Sequence, residues 1–147
     1  MLLRHVGFEP PDLSGEFAYC ELGCGKGLTS LILAAANPSA RFHAIDFNPA
    51  YIARAEAQAR AAQLRNITFH ERGIEDLLGP DSPTLPMFDI VALHGVWSWV
   101  SPQVQQAVLQ FLSRKVKPGG LVYVTYNLIS QWATLIPFQQ MLKEIVA

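Results

Sequence analysis

The sequence predicts a doubly wound α/β domain, a mostly parallel sheet with helices packed on both faces. Three observations predict it. Short apolar runs alternate with stretches of helical periodicity from residue 17 onward. The first apolar run stops at a glycine-rich bend that opens a helix. The chain has 147 residues, 50% hydrophobic and 16% charged, which suits one domain with a sizeable core.

Each element has its own signal. Residues 1–15, punctuated by Pro10-Pro11 and Ser14-Gly15, read as a lead-in, and 16–147 as the domain. Phe17 to Leu22 is a buried strand that ends at Gly23. From Leu28 the apolar residues fall at 28, 31, 32, 35 and 36, one face of a helix that Asn37-Pro38 ends. Arg41 to Ile45 is a second strand closing at Asp46. Asn48 caps the next helix, with Pro49 in its first position, and the alanine-rich stretch from Tyr51 to Leu64 continues it. Asn66 to His70 is a third strand, and 79–86 (GPDSPTLP) a loop. Met87 to Leu93 is a fourth strand, with His94-Gly95 at its end. Ser101-Pro102 opens a helix with apolar residues at 104, 107, 108, 111 and 112. Pro118-Gly119-Gly120 predicts a turn and Leu121 to Tyr126 a fifth strand. From Pro137 a helical period returns at 138, 141, 142 and 145.

Composition narrows the function. Eleven Lys plus Arg against twelve Asp plus Glu leave a net charge of −1 with no like-charge block, which disfavours nucleic-acid and membrane-surface binding. No apolar run reaches the ~20 residues that span a bilayer, and residues 1–19 lack the pattern of a secretory signal. Cys20 and Cys24 form neither a disulfide framework nor a CxxC pair, so a reduced, cytoplasmic setting is expected. His5, His43, His70 and His94 have no ligand spacing, and no metal site is supported.

In such sheets ligands sit beyond the carboxyl ends of the strands. The candidate segments are therefore 23–27, 46–48, 73–76, 94–99 and 127–132. Asp89 precedes His94 by about 16 Å of strand and reads as structural. The bend Glu21-Leu22-Gly23-Cys24-Gly25-Lys26-Gly27 has the spacing G-x-G-x-G. A phosphate-binding P-loop would need Gly at 20 and Ser or Thr at 27, where Cys20 and Gly27 stand. A dinucleotide fingerprint would need a third glycine at 28, where Leu stands. A tight turn without a ligand is the bland alternative.

YCELGCGKG resembles motif I of the class I S-adenosylmethionine-dependent methyltransferases. FHAIDFNP is similar to that family's second motif, and VKPGGLVYVTYN to its approach into strand five. The likeness covers roughly residues 16–132 in matching order. More narrowly, HGVWSWVS and YVTYNLISQW resemble the bacterial methyltransferases with a C-terminal methyltransferase regulatory domain, some of which methylate protein lysines.

The resemblance implies a Rossmann-like domain that binds S-adenosylmethionine and releases S-adenosylhomocysteine. It assigns Gly23, Gly25 and Gly27, with Cys24 between them, to the wall around the methionine half of the cofactor. Glu21 would help hold the amino group, or would serve only as a carboxylate beside a helix N-terminus. Asp46 would accept from both ribose hydroxyls, each charge-assisted bond contributing roughly 1.5–3 kcal/mol. Phe47 would lie against the adenine or pack in the core. Ile74 and Glu75 would border the adenine, or Glu75 belongs to a solvated charge cluster. His94 would face the transferring methyl, lining the site or taking a proton as catalytic base. Trp97 and Trp99 would wall an acceptor pocket or pack against the next helix, with Tyr126 and Asn127 on the acceptor side. Cys24 reads as a small residue rather than a nucleophile.

The expected function is methyl transfer to an N, O or S nucleophile of an unidentified acceptor, a protein lysine being one option. The alternatives are a non-catalytic S-adenosylmethionine-binding regulatory module and a nicotinamide-dependent oxidoreductase. The family's last two strands would follow the helix beginning near Pro137, so a chain ending at Ala147 is expected to be truncated after strand five and that helix. An exposed sheet edge then predicts partial stability, homo-oligomerisation or a missing partner segment.

Overall fold

The computed structural model describes residues 2–5, 7–80, 82–128, 133–135, 137, 138 and 141. Five strands form one sheet: β1 (Ala18–Leu22), β2 (Arg41–Asp46), β3 (Ile67–Glu71), β4 (Phe88–His94) and β5 (Val116–Thr125). Their order is β3-β2-β1-β4-β5, and every neighbouring pair is parallel. The helices are α1 (Leu2–His5), α2 (Leu28–Ala36), α3 (Pro49–Ala61) and α4 (Pro102–Lys115). A 3-10 helix, Ile74–Leu78, follows β3, and another, Ala133–Leu135, follows β5. The doubly wound fold is thus as predicted, and the order reverses between β1 and β4, where such sheets open a crevice. The lead-in carries a short helix that the sequence did not suggest. The helix expected from Pro137 falls largely on 139, 140 and 142–147, outside the described residues, as do 129–132 of the post-β5 segment. Among the described residues no helix is long and apolar enough to cross a membrane.

Central position explains burial. All five residues of β1 are buried because β2 and β4 flank it and both faces are covered. On one face Cys20, Leu22, Ile45, Val91 and Leu93 pack with Leu77, Val108 and Phe111 of the 3-10 helix and α4. On the other, Tyr19, Phe42 and Ala92 pack with Phe17, Ala34 and Ala40.

Local chemistry fixes the helix starts. The Asn48 side chain accepts from Ala50 N at 3.0 Å and Pro49 opens α3. Ser101 Oγ accepts from Val104 N at 3.3 Å ahead of α4. The predicted face of α4 holds, with Val108 and Phe111 at its buried centre.

The face of α2 is a correction. The periodicity put residues 28, 31, 32, 35 and 36 inward. The structure buries Ser30, Leu31 and Ala34, and leaves Leu28 and Ile32 exposed by 65% and 59%. The buried Ser30 hydroxyl donates to the buried Glu21 carboxylate. A buried carboxylate without a donor costs several kcal/mol, about as much as exposing two aliphatic side chains at roughly 1.5–3 kcal/mol each. Polar pairing therefore competes with the apolar pattern and turns the helix.

β5 is a second correction. The strand begins before the predicted turn, with Val116 opposite Phe88, and resumes with Leu121 opposite Ile90. Residues 117–120 are displaced from the ladder as a bulge. Asp89 sits beside it and is structural, as expected. Its carboxylate accepts from Ala18 N at 2.8 Å and from Lys117 Nζ at 2.8 and 2.9 Å. Burial opposes its charge, but Lys117 and the Ala18 amide outweigh burial and hold its pKa below the usual carboxylate value.

An imidazole pair joins β2 to β3. His43 Nδ1 lies 3.0 Å from His70 Nε2, the rings are stacked 5.3 Å apart, and Phe88 meets His43 edge-on. Burial, His70 and Arg41 push His43 down to about 4, and burial with Arg72 lowers His70. Both stay neutral in the fold near pH 7, so one ring donates and the other accepts. The unfolded chain takes up these protons near the ordinary value of 6.5. Their contribution to stability is complete above that value and declines as pH falls toward about 4. Melting followed from pH 7 to 4.5 should show Tm dropping across this window, with a smaller drop in His43→Leu. An equal slope in that variant would contradict the assignment.

Candidate functional site

The bend after β1 is fastened to the end of β2. Gly23 N and Cys24 N both donate to Ile45 O, at 2.8 and 3.0 Å. Gly25 N donates to Asp46 Oδ2 at 2.8 Å, and Asn48 N to Asp46 Oδ1 at 2.9 Å. Each carboxylate oxygen of Asp46 thus takes one backbone N–H and keeps acceptor capacity for another donor.

The three glycines serve different ends. All have positive φ, of 70°, 55° and 72°. A Cβ on Gly23 would lie 2.4 Å from Val96 Cγ2. A Cβ on Gly27 would lie 2.8 Å from Phe69 Cε1 and 2.9 Å from Ala55 Cβ, so close packing on α3 and β3 excludes a side chain there. A Cβ on Gly25 would meet nothing within 4 Å.

A cleft of about 550 Å³ opens beside this bend, within the usual range for small-molecule sites. Gly23, Ile45, Asp46 and Phe47 line it. Gly73, Ile74 and Glu75 come from the start of the first 3-10 helix, Val96, Trp99 and Val100 from the segment leading into α4, and Val104 from α4 itself. The lining is mainly apolar, with a few charged groups at fixed points. Phe47 is 77% exposed and Trp99 71%, so neither is a core residue.

The sequence candidates do not all meet at one place, and Glu21, Cys24, Gly25 and Gly27 are not among the residues lining the cleft. Gly23, Asp46, Phe47, Ile74, Glu75 and Trp99 meet at the cleft. Trp97 is half-buried and packs against the core that includes Val108 and Phe111. His94 is exposed at the end of β4, its ring centroid 5.1 Å from that of Tyr123, and is not among the residues lining the cleft. Tyr126 is exposed, and Asn127 N donates to Ser98 Oγ at 2.8 Å. The last three lie toward the β4–β5 side of the bend.

Glu21 is 2% exposed and bonded to Ser30. Burial raises its pKa, while Ser30 and the charge of His94 pull the other way. Cys24 is half-buried, and burial together with Asp46 and Glu21 pushes its thiol up to about 12. A thiol so protonated is a poor nucleophile, which agrees with its reading as a small residue.

Sequence reasoning missed Ile45, Arg72, Val100 and Val104 as cleft residues. Val100 lies within the quoted 94–101 motif but beyond the candidate segment, Ile45 reads as the last residue of a strand, and Val104 reads as part of the apolar face of a helix. Arg72 gave no signal beyond its place in a charged run.

Comparison with known proteins completes the picture. Residues 20–122 match the methyltransferase domain family. An uncharacterised protein of Synechocystis is 40% identical over 90% of this chain and 26% of its own length. The tRNA N(3)-cytidine methyltransferase METTL2 of Gallus gallus is 30% identical over 76% of this chain and 30% of its own. PKMT2 from Rickettsia typhi, solved in complex with AdoHcy, superposes with a TM-score of 0.82 at 28% identity, covering 92% of this chain and 25% of that one. The chain therefore spans about a quarter of the length of two of these relatives.

The glycine geometry sets an order of stability. Gly27→Ala should cost about 1–3 kcal/mol from overpacking on top of about 1 kcal/mol or more for the left-handed backbone. Gly25→Ala should carry only the backbone cost. Urea unfolding of the two variants checks this, and equal midpoints would refute it.

Proposed function

The chain belongs to the methyltransferase domain family of class I S-adenosylmethionine-dependent enzymes, and from that membership we propose that its cleft binds S-adenosylmethionine and serves methyl transfer to an N, O or S nucleophile of an acceptor. The observation that carries this is the Asp46 carboxylate, bonded to Gly25 N at the rim of an apolar cleft and able to accept further donors. A ribose diol satisfies that acceptor pair. The apolar walls and the exposed Phe47 and Trp99 suit a flat base, and Glu75 in the lining can accept from an exocyclic amine. The open space at Gly25 leaves room for a ligand against the backbone.

When bound, S-adenosylmethionine supplies a methyl group already activated on a sulfonium. The chain's own task is then alignment of the acceptor and acceptance of its proton. His94, exposed at the end of β4, is the residue we assign to the second role. The aromatic rings of Tyr123 and Tyr126 flank that side and are partly exposed. Two unpaired cysteines agree with a reducing, cytoplasmic setting.

Calorimetry with S-adenosylhomocysteine tests the reading. The wild-type protein should bind, and Asp46→Asn should weaken binding about ten- to hundredfold, as losing one charge-assisted bond of about 1.5–3 kcal/mol implies. NADH should produce no heat. Binding of NADH in preference to S-adenosylhomocysteine would overturn the proposal.

A further inference from the structure

The segment after β4 supplies one wall of the cleft, yet it starts at a pivot. Gly95 has φ +65°, and a Cβ there would meet nothing within 4 Å. The turn that follows is closed by Trp99 N donating to Val96 O at 3.0 Å, and Gln105 Nε2 of α4 holds Trp97 O at 3.1 Å. On the β5 side two more bonds hold it. Gly95 N donates to Thr125 Oγ1 at 2.8 Å, and Ser98 Oγ accepts from Asn127 N at 2.8 Å. Both links run through a side-chain hydroxyl rather than through the backbone ladder. Side-chain identity at these two positions therefore decides whether the pivot is held.

We infer that Thr125 and Ser98 are positioning residues for the cleft: their hydroxyls fix the post-β4 turn so that Val96 seats on Gly23 and Trp99 stands over the ligand. The inference rests on reading the cleft as the S-adenosylmethionine site. Neither residue lines the cleft itself, so each acts through Val96 and Trp99. The same two bonds join the wall of the cofactor cleft to the segment after β5 that carries Tyr126 and Asn127.

The test measures S-adenosylhomocysteine affinity and tryptophan emission in the full chain. The Trp99 component is defined as the emission lost in Trp99→Phe. Thr125→Val keeps the side-chain shape and removes the hydroxyl. It should raise Kd about three- to tenfold, as expected for one hydrogen bond, and shift the Trp99 emission. Thr125→Ser should restore both. Ser98→Ala, a change at an exposed position that leaves the core intact, should raise Kd by a smaller factor and shift the emission in the same direction. Asp89→Asn, at the opposite end of the sheet, should lower Tm without moving either readout. Wild-type affinity and emission in Thr125→Val and Ser98→Ala would overturn the inference, as would equal weakening by Asp89→Asn. If the wild-type protein takes no S-adenosylhomocysteine, the proposed function falls as well. If it binds and the two hydroxyl variants match it, the inference alone falls.

Discussion

At the carboxyl end of the sheet the Asp46 carboxylate accepts one N–H from the glycine bend and one from the residue that caps α3. This small bridge sets where the bend stands relative to β2, and the rest of the cleft is arranged around it. The bend is further held by two amides on Ile45 O, so its path is fixed by the strand beside it rather than by the helix it opens. Gly23 then admits Val96, and Gly27 admits Ala55 and Phe69. Removing the bridge would leave three left-handed residues without the contact that orients the central one. A charged group in an apolar recess is costly unless its acceptors are met, and two backbone donors meet half of that need. The unmet half is what a ligand's hydroxyls can supply.

The sequence made the strand ends legible, because alternation of element types fixes which residues exit toward the ligand side. Gly23, Asp46 and Ile74 could be placed by counting, whereas Glu21 came from the family resemblance. The features that escaped it depend on side chains meeting across long separations. His43 and His70 are 27 residues apart and touch only because β2 and β3 pair in one register. Ser30 turned α2 against its own apolar pattern through a bond to another element. Trp97 and Trp99 look equivalent in the sequence, two residues apart in one motif. A single tight turn packs one against the core and leaves the other lining the cleft. Arg72 follows the same rule, since nothing in a run of charged residues says which of them faces inward.

The site is also divided by the sheet itself. The cleft lies beyond the ends of β1, β2 and β3 and is walled by the segment between β4 and α4, whereas His94 and Tyr123 meet on the β4–β5 side. Successive residues of a strand point to opposite faces, so His94 shares a face with Ala92 and with Tyr123, the residue paired to Ala92 on β5. The small Ala92 leaves the two rings free to meet. Glu21 stands on β1 and is buried.

The bulge at 117–120 has a reach beyond its own position. β5 enters the ladder opposite Phe88 and returns opposite Ile90, so the length of that excursion determines which side of the sheet each later residue faces. Deleting one residue there would slip the strand by one step and exchange its faces. The Thr125 hydroxyl would leave Gly95, and Val124 would be drawn out of the apolar layer it now packs against. Loop length at the base of the fifth strand thereby governs chemistry at its tip, although no residue of the loop lines the cleft.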